Sequence, residues 1–151
     1  MAAINPDHVL IQAFLERPDM PRAIDTNPVA IEYGARLLAA DREAGTVRLG
    51  FELAPRHTQG NDVVQGGILA ALLDFGIAFA VLTRLPPGAN AGTATLTTQF
   101  LRAAGPGPCI VSGRVERLGR TLAFGAAELR AQDGKDVIAT ATAVMAVQAP
   151  R

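Results

Sequence analysis

The chain has 151 residues, enough for one domain and too few for two well-packed ones. Fourteen basic residues balance fourteen acidic ones, so nonspecific binding to nucleic acid or to an anionic membrane is not expected. Hydrophobic residues at 49% against 19% charged exclude a disordered chain, and a single cysteine, Cys109, excludes an internal disulfide and a cysteine zinc site.

Asp7 to Glu16 places Val9, Leu10, Ala13 and Phe14 at the spacing of a short amphipathic helix, with Asn5 or Pro6 near its start. His8 is expected to be a solvated residue in its first turn. The N-terminus has no basic start before an apolar run, so no secretory signal is expected and the expected compartment is the cytoplasm. Three prolines between Arg17 and Pro28 mark a loop. Residues 1–28 thus read as an N-terminal helix and loop, and 29–151 as the main domain.

Val29 to Ala40 reads as a strand, and Asp41 to Gly45 as a turn. Thr46 to Ala54 alternates, with Val47, Leu49, Phe51 and Leu53 on one face and Arg48 and Glu52 on the other. Residues 55–65 form an irregular loop. From Gly66 to Leu82 the sole charged residue is Asp74, and a carboxylate at mid-run is costly in a bilayer; this is expected to be a helix buried inside a soluble protein. The break Leu85 to Gly92 follows. Strands are expected over Thr93–Leu101, Pro108–Leu118, Thr121–Ala131 and Val137–Val147, with Asp133-Gly134 as a hairpin turn. This order predicts an α+β fold in which a curved antiparallel sheet wraps around a long central helix. Aromatics are only 5%, so small residues such as Ala70, Ala71, Gly76, Ala78 and Ala80 must let helix and sheet approach closely.

Three features before and within that helix carry chemistry. Gly66-Gly67 opens the helix, where bare N–H groups and the positive dipole end can hold a carbonyl oxygen. Asp74 is a carboxylate on an apolar helix, a candidate general base or nucleophile. Gln59 is a polar side chain in the preceding loop. Eight residues separate Gly66 from Asp74, about 12 Å along a helix, too far for both to act on one carbonyl from the same copy. A two-fold pair of antiparallel helices would bring them together, so a homodimer with composite sites is expected.

The run Gln65-Gly66-Gly67-Ile68-Leu69-Ala70-Ala71-Leu72-Leu73-Asp74, then Thr93 to Arg102, then Leu118-Gly119-Arg120-Thr121-Leu122, resembles the hotdog-fold acyl-CoA thioesterases of the phenylacetate-degradation (PaaI-like) group. The resemblance spans roughly Ala30 to Val147. It implies a hotdog fold, a dimer sharing a sheet and often a dimer of dimers, and hydrolysis of an acyl-CoA thioester. It puts Asp74 on the catalytic carboxylate and Gly66 on the residue whose N–H polarises the thioester carbonyl. Thr93 falls on a position that orients water, and Gln59 on one near the thioester or the water. Coenzyme A enters as part of the substrate, and no metal or other cofactor is implied. The chain departs from the group's pattern at Gln65 (usually His), Asp62 (often Gly) and Ala103 (usually Pro).

Gln65, Gly67, His57 and Asn61 are expected to contact substrate beside these groups. Arg102 and Arg120, with Arg117, are candidates for coenzyme A phosphates. Cys109 is expected to be a small core residue, and Ser112 has no histidine–acid pattern around it. Two other functions remain: a non-catalytic acyl-CoA-binding protein, and an enoyl-CoA hydratase, which would want a histidine beside the acid.

Overall fold

The computed structural model describes residues 4–150. The first helix, α1 (Pro6–Glu16), starts where the sequence signals it: Asn5 accepts from the Asp7 N–H and Pro6 occupies the first turn. Leu10, Ile11 and Phe14 are buried and join the same core as the main domain. The short β1 (Arg22–Ala23) then pairs with β2 (Arg36–Asp41).

The expected strand over Val29–Ala40 is corrected here. Asn27 caps Ala30 N–H and Pro28 opens a short helix, α2 (Pro28–Glu32), before Gly34, at φ +58°, turns the chain into β2. An Asn-Pro pair is a helix start, and its side-chain cap outweighs the β propensity of Val29 and Ile31.

β2 pairs with β3 (Thr46–Leu53), whose alternation is as expected: Val47, Leu49, Phe51 and Leu53 are buried. A 3-10 turn (Pro55–His57) and a loop lead to α3 (Gly66–Arg84). The strands β4 (Asn90–Phe100), β5 (Gly107–Leu118), β6 (Leu122–Ala131) and β7 (Val137–Gln148) follow. β4 begins three residues before the expected start.

All seven strands form one antiparallel sheet in the order β1-β2-β3-β5-β6-β7-β4. The curved sheet wraps α3, giving the hotdog fold. The helix is the one segment among the described residues long and apolar enough to cross a membrane, and it is the core helix instead. Leu72, Leu73 and Ile77 are fully buried, each worth roughly 1.5–3 kcal/mol of transfer free energy. Helix and sheet meet through glycine: a Cβ on Gly113 of β5 would lie 2.0 Å from the Gly76 carbonyl oxygen of α3.

The sheet ends in β4, which lies on α3 in the opposite direction. Thr93 meets Asp74, and Phe100 meets Gly66 at the start of the helix. This edge carries no proline and no charged residue over eleven residues, an unguarded edge of the kind that pairs with another strand.

Candidate active site

Asp74 lies half-buried on the face of α3 that turns toward the N-terminal segment and β4. Ala71, Phe75, Ala78 and Leu82, at helical spacing around it, line the same cavity of about 340 Å³. The Thr93 hydroxyl donates to Asp74 Oδ1 at 2.7 Å. That bond leaves Oδ2 without a protein partner among the described residues. It also leaves the Thr93 oxygen free to accept from a water. The pairing of β4 with β7 shifts register between Thr93 and Thr95, so Ala94 is an extra residue. Such a bulge re-aims the side chains beside it.

The N-terminus of α3 forms the second half of the site. Among the described residues no protein group accepts from the Gly66 or Gly67 N–H, as befits a first turn. The absence of a side chain matters at Gly66, where a Cβ would stand 3.3 Å from the Phe100 ring. Beside it, Val64, Leu69, Phe100 and Arg102 help to line a cleft of about 280 Å³.

Gln65, expected to contact substrate, has a structural part in this chain. It is the N-cap of α3, and its Oε1 accepts from the Ile68 N–H at 3.3 Å. Gln65 therefore folds back on its own helix and completes the first turn. A Cβ on Gly67 would meet that same Oε1 at 2.8 Å, so Gly67 makes room for the cap.

His57, expected to contact substrate, is taken up by bonds within the protein. Its ring is buried, Nδ1 accepts from the Ala54 N–H at 2.9 Å, and Nε2 meets Glu32 Oε1 at 2.9 Å. Tyr33 packs edge-on at 5.1 Å. Both ring nitrogens are thus used, one in closing the Ala54–His57 turn and the other in tying that turn to α2. The Arg56 guanidinium and then His57 hold the Glu32 carboxyl down to about 2. His8, expected in solvent, is buried against the start of β4 and donates Nδ1–H to the Ala89 carbonyl at 3.0 Å. Neither histidine lines the Asp74 cavity.

In the loop, Gln59 Oε1 accepts from the Asn61 N–H at 3.0 Å, which leaves its amide nitrogen exposed. Asn61 thereby shapes Gln59 through its backbone. Asp62 adopts φ +59°, the left-handed conformation that glycine takes without cost, which is the physical reason a glycine suits that position. Arg102 pairs with Asp136 at 3.4 Å, both exposed. Arg120 is exposed in the turn between β5 and β6 and forms no ion pair among the described residues. Cys109 is buried, and burial first, then the Glu52 charge, pushes its thiol up to about 12, which keeps it inert.

The structure thus brings Asp74 and Thr93 together in one copy and leaves Gly66, Gly67 and Gln59 apart from them. Sequence reasoning passed over Asn5, Asp7 and Asn27, which line the Asp74 cavity. Asn5 and Asn27 carry a signal as capping residues next to prolines, but nothing local says that both caps face the acid.

A family description, the thioesterase superfamily, matches residues 61–138. Among solved structures, a phenylacetic acid degradation-related protein from Ralstonia eutropha JMP134 is 31% identical, with a TM-score of 0.78 over 90% of this chain and 98% of that one. A thioesterase family protein from Silicibacter pomeroyi is 25% identical, with a TM-score of 0.76 over 92% and 96%. The PaaI protein of the E. coli phenylacetic acid degradation operon, at 17% identity, shares the fold over 98% of both chains with a TM-score of 0.76. No curated protein matches the chain in sequence.

Proposed function

The chain belongs to the thioesterase superfamily, as a hotdog fold of the PaaI type, and on that premise we propose that it hydrolyses an acyl-CoA thioester to the free acid and coenzyme A. Membership carries thioester hydrolysis as the reaction class. The observation that carries the finer reading is the Asp74–Thr93 pair at a cavity, with one carboxylate oxygen uncommitted. A carboxylate held by one donor and open at its other oxygen is arranged to take a proton from water.

In this reading a homodimer forms through the bare β4 edges, and each site is composite. Gly66 of a second copy presents its N–H to the thioester carbonyl oxygen. Asp74 Oδ2 takes a proton from a water whose oxygen adds to the carbonyl carbon, and the resulting oxyanion accepts from that N–H. The Thr93 oxygen orients the water, and the free amide of Gln59 reaches the same region from the second copy. Collapse breaks the C–S bond, and the thiolate leaves with the proton from Asp74. Direct attack by Asp74, giving a mixed anhydride that water then cleaves, uses the same groups. Label found in Asp74 after a single turnover in ¹⁸O-labelled water identifies direct attack with the anhydride cleaved at the aspartyl carbon, since water addition leaves none there. Arg120 and Arg117, both exposed and without an ion pair among the described residues, are free to meet the phosphates of coenzyme A.

Asp74→Asn tests the assignment. The amide keeps the size and can still accept from Thr93, so folding is unaffected while kcat falls about 10²–10⁴-fold. Hydrolysis at the wild-type rate by D74N overturns it.

A second reading, a protein that binds acyl-CoA without cleaving it, draws on Gln65. The group usually carries His there, and an amide that caps its own helix moves no proton. Binding in calorimetry with no turnover across a panel of acyl-CoAs selects this reading. The hydratase reading loses its chemical basis, because both histidines are committed away from Asp74.

A further inference from the structure

We propose that the N-terminal segment is the wall that sets the length of the acyl group, and that the group accepted is apolar and of medium chain length. This rests on the thioester hydrolase reading and concerns a part of the chain outside the matched family region.

Two walls, with Ala91 of β4, line the Asp74 cavity. One is α3, on which Ala71, Asp74, Phe75, Ala78 and Leu82 share a face. From Asp74 to Leu82 this face runs for eight residues, about 12 Å. The other wall is N-terminal: Asn5, Asp7, Asn27 and Val29.

The polar members of that second wall are already spent on one another. Asn5 Oδ1 accepts from the Asp7 N–H, and Asn5 Nδ2 donates to Asn90 Oδ1 of β4 at 2.8 Å. Asp7 Oδ1 accepts from the Thr26 hydroxyl and from Asn27 Nδ2, and Oδ2 also accepts from Asn27 Nδ2 at 3.1 Å. Asn27 Oδ1 caps the Ala30 N–H. Five side chains, those of Asn5, Asp7, Thr26, Asn27 and Asn90, thus form a clasp that ties the starts of α1 and α2 to each other and to β4. With their hydrogen bonds used inside the clasp, the groove beyond Asp74 offers a ligand an apolar surface of Val29, Phe75, Ala78 and Leu82.

An acyl chain whose carbonyl sits at Asp74 would therefore extend along α3 under this wall. Each methylene that enters is worth about a fourfold gain in kcat/KM, until the chain outruns the roughly 12 Å of helix face. Opening the clasp should extend the limit, and adding bulk in the groove should shorten it.

The test uses the full chain with saturated acyl-CoAs from acetyl to palmitoyl. For wild type, kcat/KM should rise to a maximum at medium length and then fall. Ala78→Phe should lower the octanoyl-to-acetyl ratio at least tenfold. Val29→Phe, at an exposed position, repeats the test if A78F fails to fold. Asp7→Ala should move the maximum to longer chains. Ratios of A78F and V29F that match wild type overturn the proposal while leaving thioester hydrolysis standing. Absence of hydrolysis by wild type overturns the function instead. In that case, calorimetry with non-cleavable acyl-CoA thioethers of the same lengths decides the wall. Chain-length-dependent affinity lost in V29F supports it, and length-independent affinity overturns it.

Discussion

A composite site makes a prediction that no single-chain site makes. Gly66 and Asp74 lie eight residues apart on one straight helix, about 12 Å along its axis. An aspartate side chain spans only a fraction of that, so one copy cannot use both groups on one carbonyl. Two lesions separate the halves. D74N removes the base. Gly66→Ala adds a methyl 3.3 Å from Phe100, a ring that is 53% exposed and free to swing aside. Alanine suits a first helical turn, so the fold survives, but the methyl crowds the approach to the N–H, and losing that contact should lower kcat about 10²–10³-fold. In a heterodimer of D74N and G66A, one site combines both lesions and the other combines none. Co-expression with two affinity tags isolates that heterodimer, and its kcat should be about half that of wild type per dimer. A heterodimer no more active than the mean of its parents would refute the reasoning.

Gly113→Ala should destabilise the fold by about 3 kcal/mol, because its Cβ would lie 2.0 Å from a backbone oxygen of α3 that cannot yield; urea unfolding should show a lower midpoint at unchanged m. Asp62→Gly should leave stability within about 0.5 kcal/mol, since relief of the left-handed backbone is offset by the freer unfolded chain, whereas D62V should lower it by about 1–2 kcal/mol. Equal melting temperatures for D62G and D62V would contradict this. Glu32, held down to about 2 by Arg56 and His57, contributes stability that is fully present above its ordinary value of 4.5 and is lost as pH falls toward 2. The gap between wild type and E32Q in chemical denaturation should therefore close over that window and stay constant from pH 5 to 6.

Much of the fold was legible locally. The Thr46–Leu53 alternation, the Asp133-Gly134 turn and the apolar run after Gly66 each carry their own period or turn chemistry, so neighbours in sequence decide them. Asp133 Oδ1 accepts from the Lys135 N–H and Gly134 sits at φ +70°, as such a turn requires. The Val29–Ala40 expectation failed over its first half, before β2, because a cap and a proline compete with β-branched residues, and there the cap prevails. His8 and His57 could not be read locally at all. Each is polar, which suits a solvated or ligand-binding residue equally well. Their actual partners, the Ala89 carbonyl and Glu32, are fixed by how α1 and α2 are seated.

The candidate site divides in the same way. The sequence by itself determined that an acid sits alone on an apolar helix eight residues beyond a glycine pair, because helical rise is a property of the backbone and needs no partner. It also determined that the core is built on small residues, because there are too few aromatics to fill it otherwise. Only the tertiary structure decided that β4 runs back along α3, placing Thr93 on Asp74, because that contact depends on α3 carrying the chain across the sheet to its far edge. Only the tertiary structure, too, set the caps of α1 and α2 around the same cavity. Hydrogen bonds between residues up to 85 positions apart hold that wall, and no window of sequence contains both ends of them.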